Sequence, residues 1–380
     1  MSAIDRRGFL TSAAIVGGTV LAPGCARAGS TSTPPIGPTL DELARRKGMR
    51  FGTAVTPEKL ARPEIAAAIA RECSVLLPAN ELKWRNTQPA PDRSAYARAL
   101  EVLDFARQNQ MQTRGHCFIW SYDPHVANWM KEREAELAAN GGSRLIELMQ
   151  ARAERLQQVV PGIPSWDVVN EMIVSIGGEV RSSLYSRIFG EGMLDIAFGM
   201  MRETMPGTQL VYNDYPDWLS GNRHKDGILR LLESALARGV PIDAIGIQSH
   251  LETIGRDIDE ADWLRFLEEV KGMGLKVLIT ELDCADIYGT QTNPAKRDAE
   301  IAAHVRAYLD LTLSLGNVEQ VILWEFSDWE AYTLQPYYTK DKGRSDGLPM
   351  RAHLYDDNVQ PKPVRQAIAD ALAAAPQFEK

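Results

Sequence analysis

From about residue 50 the chain alternates between short runs rich in Val, Ile and Leu and longer amphipathic stretches. The runs cover 51–55, 74–79, 112–120, 165–171, 209–214, 244–250, 276–283 and 319–326. Most are nearly continuous in apolar residues, which suits parallel strands buried on both faces. The stretches between them carry helical spacing. Residues 221–238, 259–273 and 295–315 set apolar side chains at i, i+3 and i+4 with charges between. Pro63 suits the first turn of a helix that continues Glu64-Ile65-Ala66. A last helix over about 361–374 follows Pro361-Lys362-Pro363. Eight strand–helix units without an internal repeat predict an α/β protein, a single (β/α)8 TIM barrel. An open doubly wound sheet is the runner-up, but no glycine-rich phosphate turn follows the first run.

Two runs end on a glutamate. Ser165-Trp166-Asp167-Val168-Val169-Asn170-Glu171 is one, and Lys276-Val277-Leu278-Ile279-Thr280-Glu281 is the other. An unpaired carboxylate at the end of a buried strand is costly and needs a reason. Active sites of such barrels lie at the C-terminal ends of the strands, so both glutamates point at one mouth. Other polar residues gather at strand ends too: Asn80, His116, Asn213, Asp214, Gln248, His250 and Asp283. Two carboxyl groups at one mouth are what glycoside hydrolysis uses, one as acid and one as base or nucleophile.

The neighbours extend that reading. Gln248 and His250 alternate with Ser249, so an extended strand sets them on one face. A His there would hold Glu281 ionised and serve as the cation that Glu281 and Asp283 need between them. Asn170 either binds a sugar 2-hydroxyl or caps the strand. Trp84, Trp120, Trp324 and Trp329 offer flat faces for sugar stacking; Trp166 reads as core, which is also the alternative for Trp84.

Composition narrows the class. With 44% hydrophobic and 24% charged residues, the 380-residue chain suits a packed globular enzyme. The net charge of -8 without a basic stripe argues against nucleic acid as a partner. Near the N-terminus Arg6-Arg7 precede a mild apolar run, Ala13 to Ala22, and then Ala26-Arg27-Ala28. That reads as a twin-arginine signal over residues 1–28, with an ordinary Sec signal as the alternative. Its removal takes away three arginines and one aspartate, a net +2, and moves the charge from -8 to -10. The apolar run is too short to span a bilayer. Export to the periplasm or beyond is expected, with a lipid anchor at Cys25 as a minor alternative. Residues 29–45 read as a flexible leader and 46–380 as the catalytic barrel. Cys73, Cys117 and Cys284 remain, widely spaced, as buried small side chains rather than a disulfide framework. The histidines show no HxH or HExxH spacing, so no metal and no cofactor are expected.

Taken together, several segments resemble glycoside hydrolase family 10, the retaining endo-β-1,4-xylanases. They are Phe51-Gly52-Thr53-Ala54-Val55, Asn80-Glu81-Leu82-Lys83-Trp84, Arg114-Gly115-His116, Trp166 to Glu171, Tyr212-Asn213-Asp214-Tyr215, Gly246 to His250, Ile279 to Asp283 and Pro361-Lys362-Pro363. Their order and spacing cover roughly residues 50–370. The resemblance implies Glu171 as acid/base, Glu281 as the nucleophile of a covalent glycosyl–enzyme intermediate, and His250 as its partner. It implies Asn170 on the 2-hydroxyl, and Lys83, His116, Trp120, Gln248 and Trp324 around the sugar at the cleaved bond. Asn80 would reach the next sugar outward, Tyr215 the leaving group, and Trp329 a second aromatic wall. The implied partner is a xylan-like β-linked polysaccharide or oligosaccharide, acted on by a monomer without a membrane span.

Four positions depart from the family's usual pattern. Ala79 stands where Glu is usual, and Ser121 where His is usual. The segment Ser121 to Trp129 is longer and lacks a usual Gln, and Glu325 stands where Gly often follows the wall Trp. A retaining β-glycosidase with altered glycone preference is therefore the second expectation. A non-catalytic carbohydrate-binding barrel is the third.

Overall fold

The structure, a computed structural model, describes residues 37–221 and 223–379. The expected twin-arginine segment, Cys25 and the first part of the leader lie outside the described residues. Eight parallel strands form one closed barrel in chain order. They are β1 Arg50–Val55, β2 Val75–Pro78, β3 Gln112–Trp120, β4 Ser165–Asn170, β5 Gln209–Asp214, β6 Ala244–Ile247, β7 Lys276–Leu282 and β8 Val318–Leu323. Pairing of β1 with β8 closes the ring. The apolar runs are buried because the barrel interior lies on one face and the helices on the other. Gly115 on β3 has a packing reason: a Cβ there would lie 2.1 Å from the Trp166 ring, so only glycine lets that fully buried indole lie against the strand.

Five strands stop short of where the apolar runs predict, β2 and β7 by one residue at Pro78 and Leu282, and three others before a backbone turn. The expected 165–171, 244–250 and 319–326 end at Asn170, Ile247 and Leu323. Shortly past each end stands a non-glycine residue in the left-handed region: Glu171 at φ 58, Ser249 at φ 63 and Glu325 at φ 96. Extended geometry cannot continue through such a residue. Hydropathy does not register it, because the residues involved are ordinary in composition.

The expected helices are present as Pro63–Glu72, His224–Ala237, Glu260–Gly272, Pro294–Thr312 and Pro363–Ala374. Ala97–Gln108, Glu134–Val159 and Gly192–Thr204 supply the remaining crossovers. The leader needs a correction, because Leu40–Arg46 is a helix. Thr39 and Glu42 form a reciprocal capping box at its start. Leu40, Leu43 and Ala44 are buried, and Asp41 accepts the Phe51 N–H at 3.1 Å. Its four-residue cap signal and short apolar stripe are easily lost beside the Ser/Thr/Pro-rich stretch before it. Buried Glu72 and Arg365, 3.0 Å apart, tie the crossover between β1 and β2 to the last helix. Among the described residues no helix is long and apolar enough to cross a membrane, and Cys73, Cys117 and Cys284 are buried and unpaired.

Candidate active site

A cleft of about 1060 Å³ opens over the C-terminal ends of the strands. It is lined by Asn80, Lys83, His116, Trp120, Asn170, Glu171, Tyr215, Gln248, His250, Glu281 and Trp324. Residues read from separate segments of the chain therefore meet at one place. Trp84 and Trp166 are buried elsewhere, in the core.

Glu281 lies within β7 and is 4% exposed. Its Oε1 accepts the Asn213 amide N–H at 2.8 Å, and its Oε2 sits 3.3 Å from His250 Nε2. Asn213 also donates to Asn170 Oδ1 at 2.7 Å and accepts from Thr280 Oγ1 at 2.7 Å. Gly246 makes room for it, since a Cβ there would lie 2.2 Å from Asn213 Oδ1. Burial alone would raise the Glu281 carboxyl, but His116, His250 and Lys83 outweigh burial and hold it at about 2. Glu281 is therefore a fixed carboxylate with its oxygens oriented.

His250 bridges two carboxylates. Its Nδ1 lies 2.9 Å from Asp283 Oδ2, on the far side of the ring from Glu281. Burial works against its charge, yet Asp283 and Glu281 raise it to about 10. The Tyr332 hydroxyl donates to the same Asp283 oxygen at 2.6 Å. Strand alternation does not explain why Gln248 and His250 share the cleft, because the strand ends at Ile247. The left-handed turn at Ser249 and a bridge between His250 and Asp283 bring them there instead.

Glu171 follows β4, and its left-handed backbone turns it out of the strand line. Its N–H donates to the Asn213 carbonyl at 2.9 Å. Gln248 Nε2 donates to Oε1 at 2.9 Å, and Asn170 Nδ2 approaches the same oxygen at 3.2 Å. Burial raises this carboxyl above its ordinary value despite donation from Gln248 and the nearby Trp120 indole. Asp214 and Glu281 push it the same way. The two carboxyl groups are joined through Asn170 and Asn213, but only Glu281 has cations close enough to stay ionised at low pH.

The walls carry the rest. Lys83 donates to Asn80 Oδ1 at 2.9 Å and lies over Trp120 and Trp324, at 4.5 and 5.2 Å from their ring centroids. His116 holds Asp167 at 3.0 Å and stands edge-on to Trp324. Arg181 donates to the Glu171 carbonyl at 3.1 Å and to the Tyr215 hydroxyl at 2.5 Å. The long segment after β3 lays His125 flat on Trp120, with ring centroids 3.6 Å apart. Ser121 turns away instead, buried against Ser183.

Trp329 is the expected site residue that the structure does not bring in. It does not line the cleft; Arg62 covers its ring at 4.6 Å, and Lys59 donates to its carbonyl. The wall aromatic is Tyr332, whose ring centroid is 6.0 Å from that of His250. Two left-handed residues, Glu325 and Glu330, turn the loop so that residue 332 and not 329 faces inward. Tyr332, Arg181 and His125 went unread as site residues because loop geometry brings them in; the same geometry sets Lys59 and Glu325 on the cleft wall away from the two glutamates' contacts. Asp283 was legible from its spacing to Glu281.

Comparison with known proteins shows the family. The model for "Glycosyl hydrolase family 10" matches residues 39–371. Endo-1,4-beta-xylanase 3 of Hypocrea jecorina is 30% identical over 337 residues, 88% of this chain and 86% of that protein. Endo-1,4-beta-xylanase B of Thermotoga neapolitana is 28% identical over 80% of this chain and 81% of its own length. The crystal structure of xylanase 10B from Thermotoga petrophila in complex with xylobiose superposes with a TM-score of 0.77 at 25% identity, covering 88% of this chain and 97% of that one. A barrel with paired glutamates at its mouth, matched by the family model over nearly its whole length, belongs to glycosyl hydrolase family 10.

Proposed function

We propose that the protein is a retaining endo-β-1,4-xylanase that cleaves xylan or xylo-oligosaccharides by double displacement. The observation that carries this reading is the contrast between two buried carboxyl groups in one cleft. Burial raises the Glu171 carboxyl above its ordinary value, which favours its protonated form. Glu281 is held ionised at about 2 by His116, His250 and Lys83. This is the division of labour that a glycosidase needs.

In the first step Glu281 attacks the anomeric carbon while Glu171 gives its proton to the leaving oxygen, and a glycosyl–enzyme ester forms. In the second step Glu171, now ionised, takes a proton from water, and the water displaces Glu281. Asn170 is set to meet the 2-hydroxyl, because its amide nitrogen lies beside Glu171 and its oxygen is fixed by Asn213. Trp120, Trp324 and Tyr332 form the walls of the sugar site, and exposed Tyr122, Tyr288 and Tyr337 line the cleft further out. Flat rings along a cleft suit a chain of pyranoses. The xylobiose in the Thermotoga petrophila neighbour supports a xylose-based substrate, and the twin-arginine reading supports export. The test is release of reducing sugar from linear xylan, cellulose and mannan. The expected result is release from xylan alone, lost in Glu281→Ala with the melting temperature unchanged to within a few degrees. Equal release in that variant would remove Glu281 from the mechanism.

A further inference from the structure

The cleft has two flanks. Glu171, Arg181 and Tyr215 follow β4 and β5, and the acid must stand beside the leaving group. The glycone therefore lies toward the opposite part of the ring, where β8, β1 and β2 are neighbours. On that flank Ala79 brings no polar atom. It packs with Ala54, Leu77 and Ile322 beneath Trp324. Two charged side chains face the cleft near it, and neither has a role in bond cleavage.

Lys59 and Glu325 are that pair. Lys59 Nζ sits 3.8 Å from Glu325 Oε1, too far for a hydrogen bond. Lys59 is anchored by donation to the Trp329 carbonyl, which leaves further N–H groups free to donate. Glu325 Oε2 accepts the Tyr332 N–H at 2.9 Å. No donor among the described residues reaches Oε1. Burial raises the Glu325 carboxyl to about 7, against the pull of Lys59. Its backbone stands at φ 96, where a side chain is unfavourable and glycine is free. A strained, partly buried glutamate with one open oxygen needs an explanation that holding a loop does not supply, since a backbone or water acceptor would serve Tyr332.

We propose that Lys59 and Glu325 form a glycone-side subsite that grips adjacent hydroxyls of the second sugar from the cleaved bond. One hydroxyl donates to Glu325 Oε1, and its neighbour accepts from Lys59. The pair supplies polar contacts on the wall where Ala79 supplies none. This rests on the reading of the cleft as a glycosidase site.

The experiment compares 4-nitrophenyl β-xyloside, which fills one glycone position, with 4-nitrophenyl β-xylobioside, which fills two. Glu325→Gly removes the carboxyl and relieves the backbone, so its melting temperature should equal or exceed that of the parent. Its kcat/KM on the xylobioside should fall about tenfold or more, mainly through KM. On the xyloside it should stay within about twofold, since no contact to that sugar is lost. Lys59→Met should show the same split. Equal change on both substrates, or no change on either, overturns the pair while the glycosidase reading stands. If the parent enzyme cleaves neither glycoside, the functional reading falls and the pair falls with it.

Discussion

Glu171 follows β4 and Glu281 lies within β7 of one barrel, and burial pushes both carboxyl groups upward. They end in opposite states. Glu171 stays raised because its close partners are two neutral amides and an indole. Glu281 is drawn down to about 2 because His116, His250 and Lys83 converge on it. Depth therefore does not decide which carboxyl is the acid; the charge of the nearest side chains does. Asn170 and Asn213 keep the two sites joined but distinct.

The most severe way to break the contrast is to remove one member. Glu281→Ala should cost on the order of 10⁵-fold in kcat on any β-xyloside, read by initial rates on 4-nitrophenyl β-xylobioside. Glu171→Gln sharpens the contrast instead. A poor leaving group needs the proton, so xylan cleavage should fall by about 10²–10⁴-fold. The 4-nitrophenolate leaves unaided, so formation of the glycosyl–enzyme should suffer much less there. Equal losses on both substrates would mean that Glu171 does not act as an acid.

The pH profile reads both groups at once. Activity needs Glu171 protonated and Glu281 ionised. It should therefore fall as pH rises through the Glu171 pKa, which lies above the ordinary carboxyl range, and as pH falls toward about 2. His250→Gln removes one of the cations that hold Glu281 down, so the acid limb should move to higher pH while the basic limb stays. Asn213→Ala leaves the Thr280 hydroxyl, the Asn170 oxygen and one Glu281 oxygen without their shared partner. It should cost about 1–3 kcal/mol of stability, read by denaturant midpoint, besides a loss of rate. The smallest effect is expected from Tyr332→Phe. Asp283 keeps His250 and loses one of two donors, so kcat should change only several-fold, in line with about 1 kcal/mol.

The pair of glutamates was legible in the sequence because each lies at the end of an apolar run, while the division of roles between them came from the family resemblance. The barrel was legible for the same reason: eight such runs leave few other folds. The strand ends at Asn170, Ile247 and Leu323 were not, because the left-handed backbone just past them, at Glu171, Ser249 and Glu325, has no hydropathic mark. The same blindness placed Trp329 in the wall and passed over Tyr332, since a loop's turns and not its composition choose which ring faces in. The helix Leu40–Arg46 was hidden by the polar stretch before it, although Thr39 and Glu42 carry a capping signature. Long-range partners such as Asp283 with Tyr332, or Lys59 with Glu325, exist only once the chain is folded.

The most direct measurement is the stereochemistry of the product. Xylobiose release from 4-nitrophenyl β-xylobioside, followed by proton NMR during the first turnovers, identifies the anomer before mutarotation. Two displacements through Glu281 should deliver the β-anomer first. The α-anomer appearing first would mean a single displacement by water, and would contradict the assignment of Glu281 as nucleophile.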